Sequence, residues 1–387
     1  MNNILRHIRH ICAIWQQEIT SMLKDEGMLL ILLILPLSYP VLYSWVYNNE
    51  VVHEVPVVVV DKSHSSLSRK FIQMYDASPE VRVCCYADNL KEAKDIVGHQ
   101  EAYGVIYFPE DFAKRVNRME QATIGVYCDM SLMLAYKNVY QTAVTIQGLM
   151  GEEIQTKFLG NYTEREDEVA TMPLRAENVP IFNTTGGYGN FILPGVLILI
   201  LQQTLLLGMG LWTGTLREET GRIIPRSPMY NGTLKVIGGR WMAYFLLYTV
   251  LAAYILLAIP KIFSFVSIIY WKDFFLFLIP FLMSCIFFGM TAMSIIRQRE
   301  DVFLIVVFSS VLLLFMAGVS WPASNIPAFW KYFSWLFPST FGIKGFIAMN
   351  SMGARLSDIR QEILALWIQA AIYFLTTLFI YRQELKK

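Results

Sequence analysis

Six stretches of the chain carry no Asp, Glu, Lys, Arg or His: 28–47, 190–213, 241–259, 274–296, 302–320 and 363–381. Each is close to the ~20 residues with which an α-helix crosses a bilayer. Aromatic residues with polar tips gather at their ends: Trp45, Trp212, Trp241, Tyr270, Trp271, Trp321, Trp367 and Tyr381. That is the interfacial belt of spanning helices. Ahead of the first stretch the pattern differs. Ile4, Leu5, Ile8, Ile11, Cys12, Trp15, Ile19, Met22 and Leu23 recur at three- and four-residue steps, with Arg6, Arg9 and His10 off the stripe. This predicts an amphipathic helix over 1–27 lying along the inner membrane surface. A soluble helix packed on a partner is the alternative.

Residues 48–189 follow a third pattern. The β-branched run at 55–60 reads as a buried strand. Further strands are expected at 81–86, 103–108 and 122–128, with helices at 65–75, at 90–97 and after Pro109. A long helix is expected from Leu132 to Leu159, followed by an acidic connector over 160–178. Strands alternating with helices imply a mostly parallel sheet. The expected fold is a polytopic α-helical membrane protein with six spans. An extracytoplasmic α/β domain over 48–189 lies between spans 1 and 2, and the five-span membrane domain covers 190–387.

Composition and charge sharpen this picture. Only 16% of residues are charged, against about a quarter in soluble proteins. No basic run suggests nucleic acid. Lys and Arg are concentrated in the N-terminal segment, the loop 214–240, residues 297–299 and the C-terminal tail. The positive-inside rule then puts both termini in the cytoplasm. The first apolar run ends in Tyr43, Trp45 and Tyr47 rather than small residues, so it reads as a retained anchor, not a cleaved signal.

Candidate chemistry is sparse. No span holds an ionisable residue of the kind that ion-driven transporters need. No Gly-Lys dipeptide occurs, which excludes a phosphate loop. Energy for any transport must come from another chain. Gln202 and Gln203 read as hydrogen-bond partners between helices. His53, Asp61, Ser63, His64 and His99 form no recognised catalytic motif, and Asp61 at a strand end reads as a turn or cap residue. Cys84 and Cys85 are adjacent on a strand, hence on opposite faces. Two states are open for the cysteines: Cys128 bridged to one of that pair in an oxidising compartment, or buried free thiols, the reading preferred here. In the loop 214–240, Thr215 can cap a short helix holding Arg217, Glu218 and Glu219, with Gly221 ending it and Pro225 and Pro228 fixing the return. Such a charged helix suits docking.

Four stretches together resemble the ABC-2 type permease family, in its drug-exporter-like variant with a large extracytoplasmic domain. They are 183–203 (NTTGGYGNFILPGVLILILQQ), 216–221 (LREETG), 318–338 (GVSWPASNIPAFWKYFSWLFP) and 338–353 (PSTFGIKGFIAMNSMG). The segment IIPRSPMYN is richer in Pro than the usual family pattern. The resemblance implies the transmembrane permease subunit of a bacterial inner-membrane exporter for hydrophobic or amphipathic substrates. It implies no cofactor in this chain, with ATP on separate cytosolic ABC ATPase subunits, and a second permease copy forming a homo- or heterodimer. In Gram-negative relatives a periplasmic adaptor and an outer-membrane channel often take part. It also implies ATPase coupling through Arg217, Glu218, Glu219 and Gly221, and a re-entrant outer-leaflet segment over 321–350 containing Trp321, Pro322, Pro327 and Pro338. The competing expectation is a membrane-anchored sensor or scaffold whose extracytoplasmic domain binds a ligand.

Overall fold

The computed structural model describes residues 2–159, 163, 166, 181–184, 186–225, 230 and 232–386, and for 2–8 the backbone alone. Arg226, Pro228 and nearly all of the acidic connector lie outside the described residues. The chain forms two compact units: Met1–Glu50 with Pro180–Lys387, and Val51–Val179. In chain order the elements are α1 (Asn2–Lys24), α2 (Glu26–Val46), β1 (Val55–Asp61), α3 (Ser66–Asp76), β2 (Val81–Tyr86), α4 (Leu90–Gly98), β3 (Gly104–Phe108), α5 (Phe112–Asn117), β4 (Gly125–Cys128) and α6 (Met133–Leu159). Then follow α7 (Tyr188–Thr220), α8 (Thr233–Ile262), α9 (Trp271–Ile295), α10 (Asp301–Met316), α11 (Ala328–Ser334), α12 (Pro338–Met352) and α13 (Arg360–Glu384).

In the first unit, α2, α7, α8, α9 and α13 are long and apolar enough to cross a membrane. The sixth expected span, 302–320, is shorter than the sequence suggests. Its helix α10 has 16 residues, ~24 Å at 1.5 Å per residue, less than the ~30 Å of a hydrocarbon core. It ends at Met316, ahead of a turn through Gly318 that leads to Trp321 and Pro322. Prolines mark irregularities in two long helices. The π-helical turns at Leu30–Ile34 and Tyr254–Ala258 hold Leu32 and Leu256, the residues four before Pro36 and Pro260. A proline ring clashes with that carbonyl in a regular helix, and a widened turn makes room for it.

The helix α1 packs on α8. A Cβ at Gly239 would lie 2.6 Å from Ile14 Cγ2 and 3.1 Å from the Ile11 carbonyl oxygen, so only glycine permits this approach. Ile14, Glu18 and Met22, one helical turn apart, form the buried line of α1. Part of the amphipathic helix expected to face lipid thus faces protein.

The second unit is an α/β fold. Its sheet has the order β2-β1-β3-β4, parallel except for the antiparallel β3–β4 pair. Val55, Val57 and Val59 pack with Phe71, Ile72 and Tyr75 of α3 and with Val139 of α6. Val58 and Val60 pack with Ala93 of α4 on the other face. Both faces of β1 are covered, which accounts for its unbroken apolar run. Ser65 opens α3 with a reciprocal capping box to Ser68, and Asn89 caps α4. Cys128 on β4 and the Cys84–Cys85 pair on β2 occupy opposite edges of the sheet. Three strand spacings of ~4.8 Å separate them, beyond the ~4.4–6.8 Å Cα separation of a disulfide. The bridge held open above is therefore excluded: all five cysteines are free, but the strand thiols are not buried as expected, since Cys84 is exposed and Cys85 and Cys128 are half-buried.

Candidate functional site

The C-terminal end of α7 ties together three segments that are remote in sequence. The expected separate helix capped by Thr215 is absent: α7 runs without a break to Thr220, because nothing in 214–220 interrupts its hydrogen bonding. Thr215 sits inside it with a buried hydroxyl that has no partner. Gly221 ends the helix in the left-handed region (φ 72°) and donates its N–H to the Arg217 carbonyl at 2.8 Å. The connection to α8 is therefore only 221–232, not 214–240.

The proposed coupling residues separate into two kinds. Arg217 donates to the Ile296 carbonyl. Glu218 Oε1 accepts the Arg299 backbone N–H at 2.7 Å. The Arg299 guanidinium donates to Asp25 Oδ1 at 2.7 Å, and the same oxygen caps α2 by accepting the Met28 N–H at 3.0 Å. Burial disfavours charge on Asp25, but the Arg299 hydrogen bond and the α2 cap outweigh it and hold its pKa below the ordinary value. Arg217 and Glu218 thus brace the α9–α10 turn internally. The Glu219 side chain is exposed and makes no hydrogen bond or ion pair among the described residues.

A second cluster joins α1, α8, α13 and the 221–232 connection. Glu18 and Arg240 are 0% and 3% exposed. Arg240 Nε donates to Glu18 Oε1 at 2.8 Å, Nη1 to the Tyr381 hydroxyl at 3.0 Å, and Nη2 to the Ile223 carbonyl at 3.0 Å. Glu18 Oε2 and the Tyr230 and Tyr244 hydroxyls are buried without partners. Burial, then the negative field of Glu18, pushes the Tyr230 hydroxyl's pKa up. Sequence reasoning missed this cluster. Its signal was present: Glu18 lies four residues from both Ile14 and Met22, on the line that becomes buried.

The third arrangement surrounds the break between α11 and α12. Trp321, Pro322 and Pro327 are exposed; Pro327 precedes α11, and buried Pro338 is the first residue of α12. Interrupting a helix frees backbone groups that must find partners inside the protein. Here neutral side chains supply them. Gln202 Oε1 of α7 accepts the Ser339 N–H at 2.7 Å. Gln369 Nε2 of α13 donates to the Trp335 carbonyl at 2.6 Å, while its Oε1 accepts from Ser284 of α9 at 3.2 Å. Thr340 donates to the Ser334 carbonyl at 2.7 Å. Gln203 reaches Ser309 of α10 at 3.4 Å. Both glutamines therefore join helices, as their sequence position suggests.

The sequence pattern of the family described as ABC-2 family transporter protein matches residues 27–379. The chain belongs to this family. It is a multi-pass membrane protein, the membrane component of an ABC transporter. Such components work with a separate ABC ATPase and generally lack an ATPase site of their own. No curated protein matches the chain.

The membrane unit of this ABC-2 family member also carries a groove of ≈ 550 Å³ between α2, α7 and α10. Its walls are mainly Leu, Ile and Val, with Tyr39, Tyr43, Tyr47, Gln203, Thr204 and Ser310 as polar points. In the α/β unit, a cavity of ≈ 520 Å³ is lined by Phe71, Phe112, Met150, Ile154, Gln121 and Gln147 among others. Asp61, at the end of β1, accepts the Ser63 and His64 N–H groups at 3.0 Å and the Ser68 hydroxyl at 2.7 Å. Its carboxylate is spent on the turn, as expected. His53 and His99 hydrogen-bond to backbone, the Pro79 and Asp95 carbonyls. Among the described residues no group of three His, Cys, Asp or Glu could hold a metal ion.

Proposed function

We propose that this chain is the permease of an exporter in a bacterial inner membrane, with both termini cytoplasmic. In this reading α10 is a short sixth span, the α/β unit is extracytoplasmic, and the segment from Trp321 to Asn350 re-enters the outer leaflet. The observation that carries the substrate class is the groove between α2, α7 and α10. Its volume lies within the ~300–1,000 Å³ of small-molecule sites. Its apolar walls with scattered hydroxyl and amide groups suit a hydrophobic or amphipathic molecule. The chain functions with a second permease copy and with cytosolic ATPases that bind the ATP, and it holds no cofactor itself. A periplasmic adaptor and an outer-membrane channel extend the path where an outer membrane exists.

Coupling to the ATPase passes through the end of α7. The docked surface must prefer one ATPase conformation, or nothing is transmitted. Glu219 is the outward group suited to this, while Arg217, Glu218 and Gly221 shape the surface from within. The experiment is co-purification with the ATPase followed by an ATPase and transport assay. Glu219→Ala should insert normally yet lose ATPase association or stimulation. Export at the parental rate by Glu219→Ala would remove the coupling assignment. Orientation is checked separately with a cysteine introduced at Arg118 or at Glu219. The first should label in sealed cells and the second only after permeabilisation.

A second reading rests on the ≈ 520 Å³ cavity of the α/β unit: a ligand-receiving domain on a membrane-anchored sensor or scaffold. Normal export by Phe112→Trp, which fills that cavity, would count against it.

A further inference from the structure

Cys84 and Cys85 stand on β2, an edge strand of the sheet. Neighbours on a regular strand point to opposite faces, so in sequence the two read as unrelated thiols. The pairing with β1 is not regular. Val57 pairs with Val83 and Val58 with Cys85, which leaves Cys84 as the extra residue of a β-bulge. A bulge bends its strand and re-aims a side chain. Here it brings the Cys84 and Cys85 Sγ atoms to 3.4 Å. Cys84 is exposed and Cys85 half-buried, so solvent reaches the first thiol. Cys128, on the far edge, is out of range of both.

We propose that Cys84 and Cys85 form a reversible thiol-modification site, closing to a disulfide by exchange with a disulfide oxidant such as glutathione disulfide or a protein disulfide. The Cys84 thiolate attacks one sulfur of the oxidant, forming a mixed disulfide and expelling the other sulfur as a thiolate. The Cys85 thiolate then attacks the Cys84 sulfur, forming the internal bond and expelling the second thiolate. The two protons lost by the cysteines end on the two expelled thiols. Two cysteine sulfurs are oxidised and one external disulfide is reduced.

The order of attack follows from the surroundings. Burial, and then the neighbouring Cys84 thiol, pushes the Cys85 thiol up to about 11. The exposed Cys84 is therefore the attacking thiol and Cys85 the resolving one. Reversal is built into the spacing. Adjacent Cα atoms lie about 3.8 Å apart, closer than the ~4.4–6.8 Å that disulfides favour. Strained, exposed disulfides are the readily reduced ones. Closure also removes the Cys84 S–H that points to the Val57 carbonyl at 3.4 Å, so the β1–β2 edge registers the redox state. None of this depends on the permease reading.

The test uses the full chain in detergent, carrying Cys12→Ser, Cys128→Ser and Cys285→Ala. It is incubated with excess glutathione disulfide, blocked with iodoacetamide, digested and weighed. The expected peptide holds both cysteines, is lighter than the dithiol by two hydrogens, carries no alkyl group and reverts with dithiothreitol. In the same background Cys85→Ser should stop at the glutathione adduct on Cys84. The proposal is overturned by a stable glutathione adduct on Cys84 with Cys85 still alkylated. It is equally overturned if both thiols are alkylated under conditions that modify the Cys85→Ser variant.

Discussion

Glu18 in the membrane unit and Glu153 in the α/β unit are both held by cations, in opposite surroundings. Glu18 is 0% exposed and faces Arg240, itself 3% exposed. Glu153, on α6, takes Lys70 of α3 and Lys157 one turn along its own helix, with side chains 40–70% exposed. Both the attraction and the cost of dehydration are larger in the interior. At the surface, water screens the charges and the pair contributes little. In the interior each charge has lost its hydration, and the pair stands only while each charge keeps its opposite partner. Between these extremes lies the neutral set around Gln202 and Gln369, buried but uncharged. The comparison teaches that burial, not the number of hydrogen bonds, sets how much depends on a polar group.

The comparison breaks first at Arg240. Arg240→Met strands the Glu18 carboxylate in the interior, and we expect a loss of about 3–5 kcal/mol, read as a lowered unfolding temperature of the purified protein. Glu18→Leu together with Arg240→Met should recover most of that loss. A double variant as unstable as Arg240→Met would show that the ion pair itself, rather than the stranded charge, supplies the stability.

Next in size is Gln202→Leu, which leaves the buried Ser339 N–H at the start of α12 without an acceptor. The expected loss is about 1–3 kcal/mol, with Gln202→Glu milder at low pH, where the carboxyl is neutral. Thermal unfolding at two pH values measures both. A Gln202→Leu protein as stable as its parent would mean that water replaces the amide there.

The smallest effect is expected at Glu153. The Lys157 and then the Lys70 hydrogen bonds depress its carboxyl from an ordinary 4.5 to about 2. A depressed carboxyl pKa contributes stability that is fully present above about 4.5 and is lost as pH falls toward about 2. Glu153→Gln should flatten the stability profile in that window and hardly alter it near neutrality. An unchanged acid profile would mean that the two lysines do not hold the carboxylate in solution.

Much of the fold is legible in the sequence. Charge-free runs mark the long helices because a charge in hydrocarbon is expensive. The run at 55–60 marks a strand covered on both faces, and Asp61 was readable as a turn residue because a short carboxylate after a strand can accept nearby N–H groups. The candidate site was legible only in part. Arg217, Glu218 and Glu219 were found as a charged cluster, but their division into bracing and exposed groups depends on the α9–α10 turn, 80 or so residues away. The end of α10 was misjudged because apolar residues continue through the turn that stops it.

The sequence by itself determined which segments avoid water, which alternate as strands, and that this chain carries no phosphate loop. Those properties follow from local composition and period, which a chain holds whether or not it is folded. Only the tertiary structure decided that Glu18 meets Arg240 across 222 residues, that Gln202 caps a helix begun 136 residues later, and that Cys84 turns beside Cys85. The first two are pairings set by how helices cross. The third comes from one extra residue in the register of β2 against β1. Register belongs to the pair of strands and is written in neither alone.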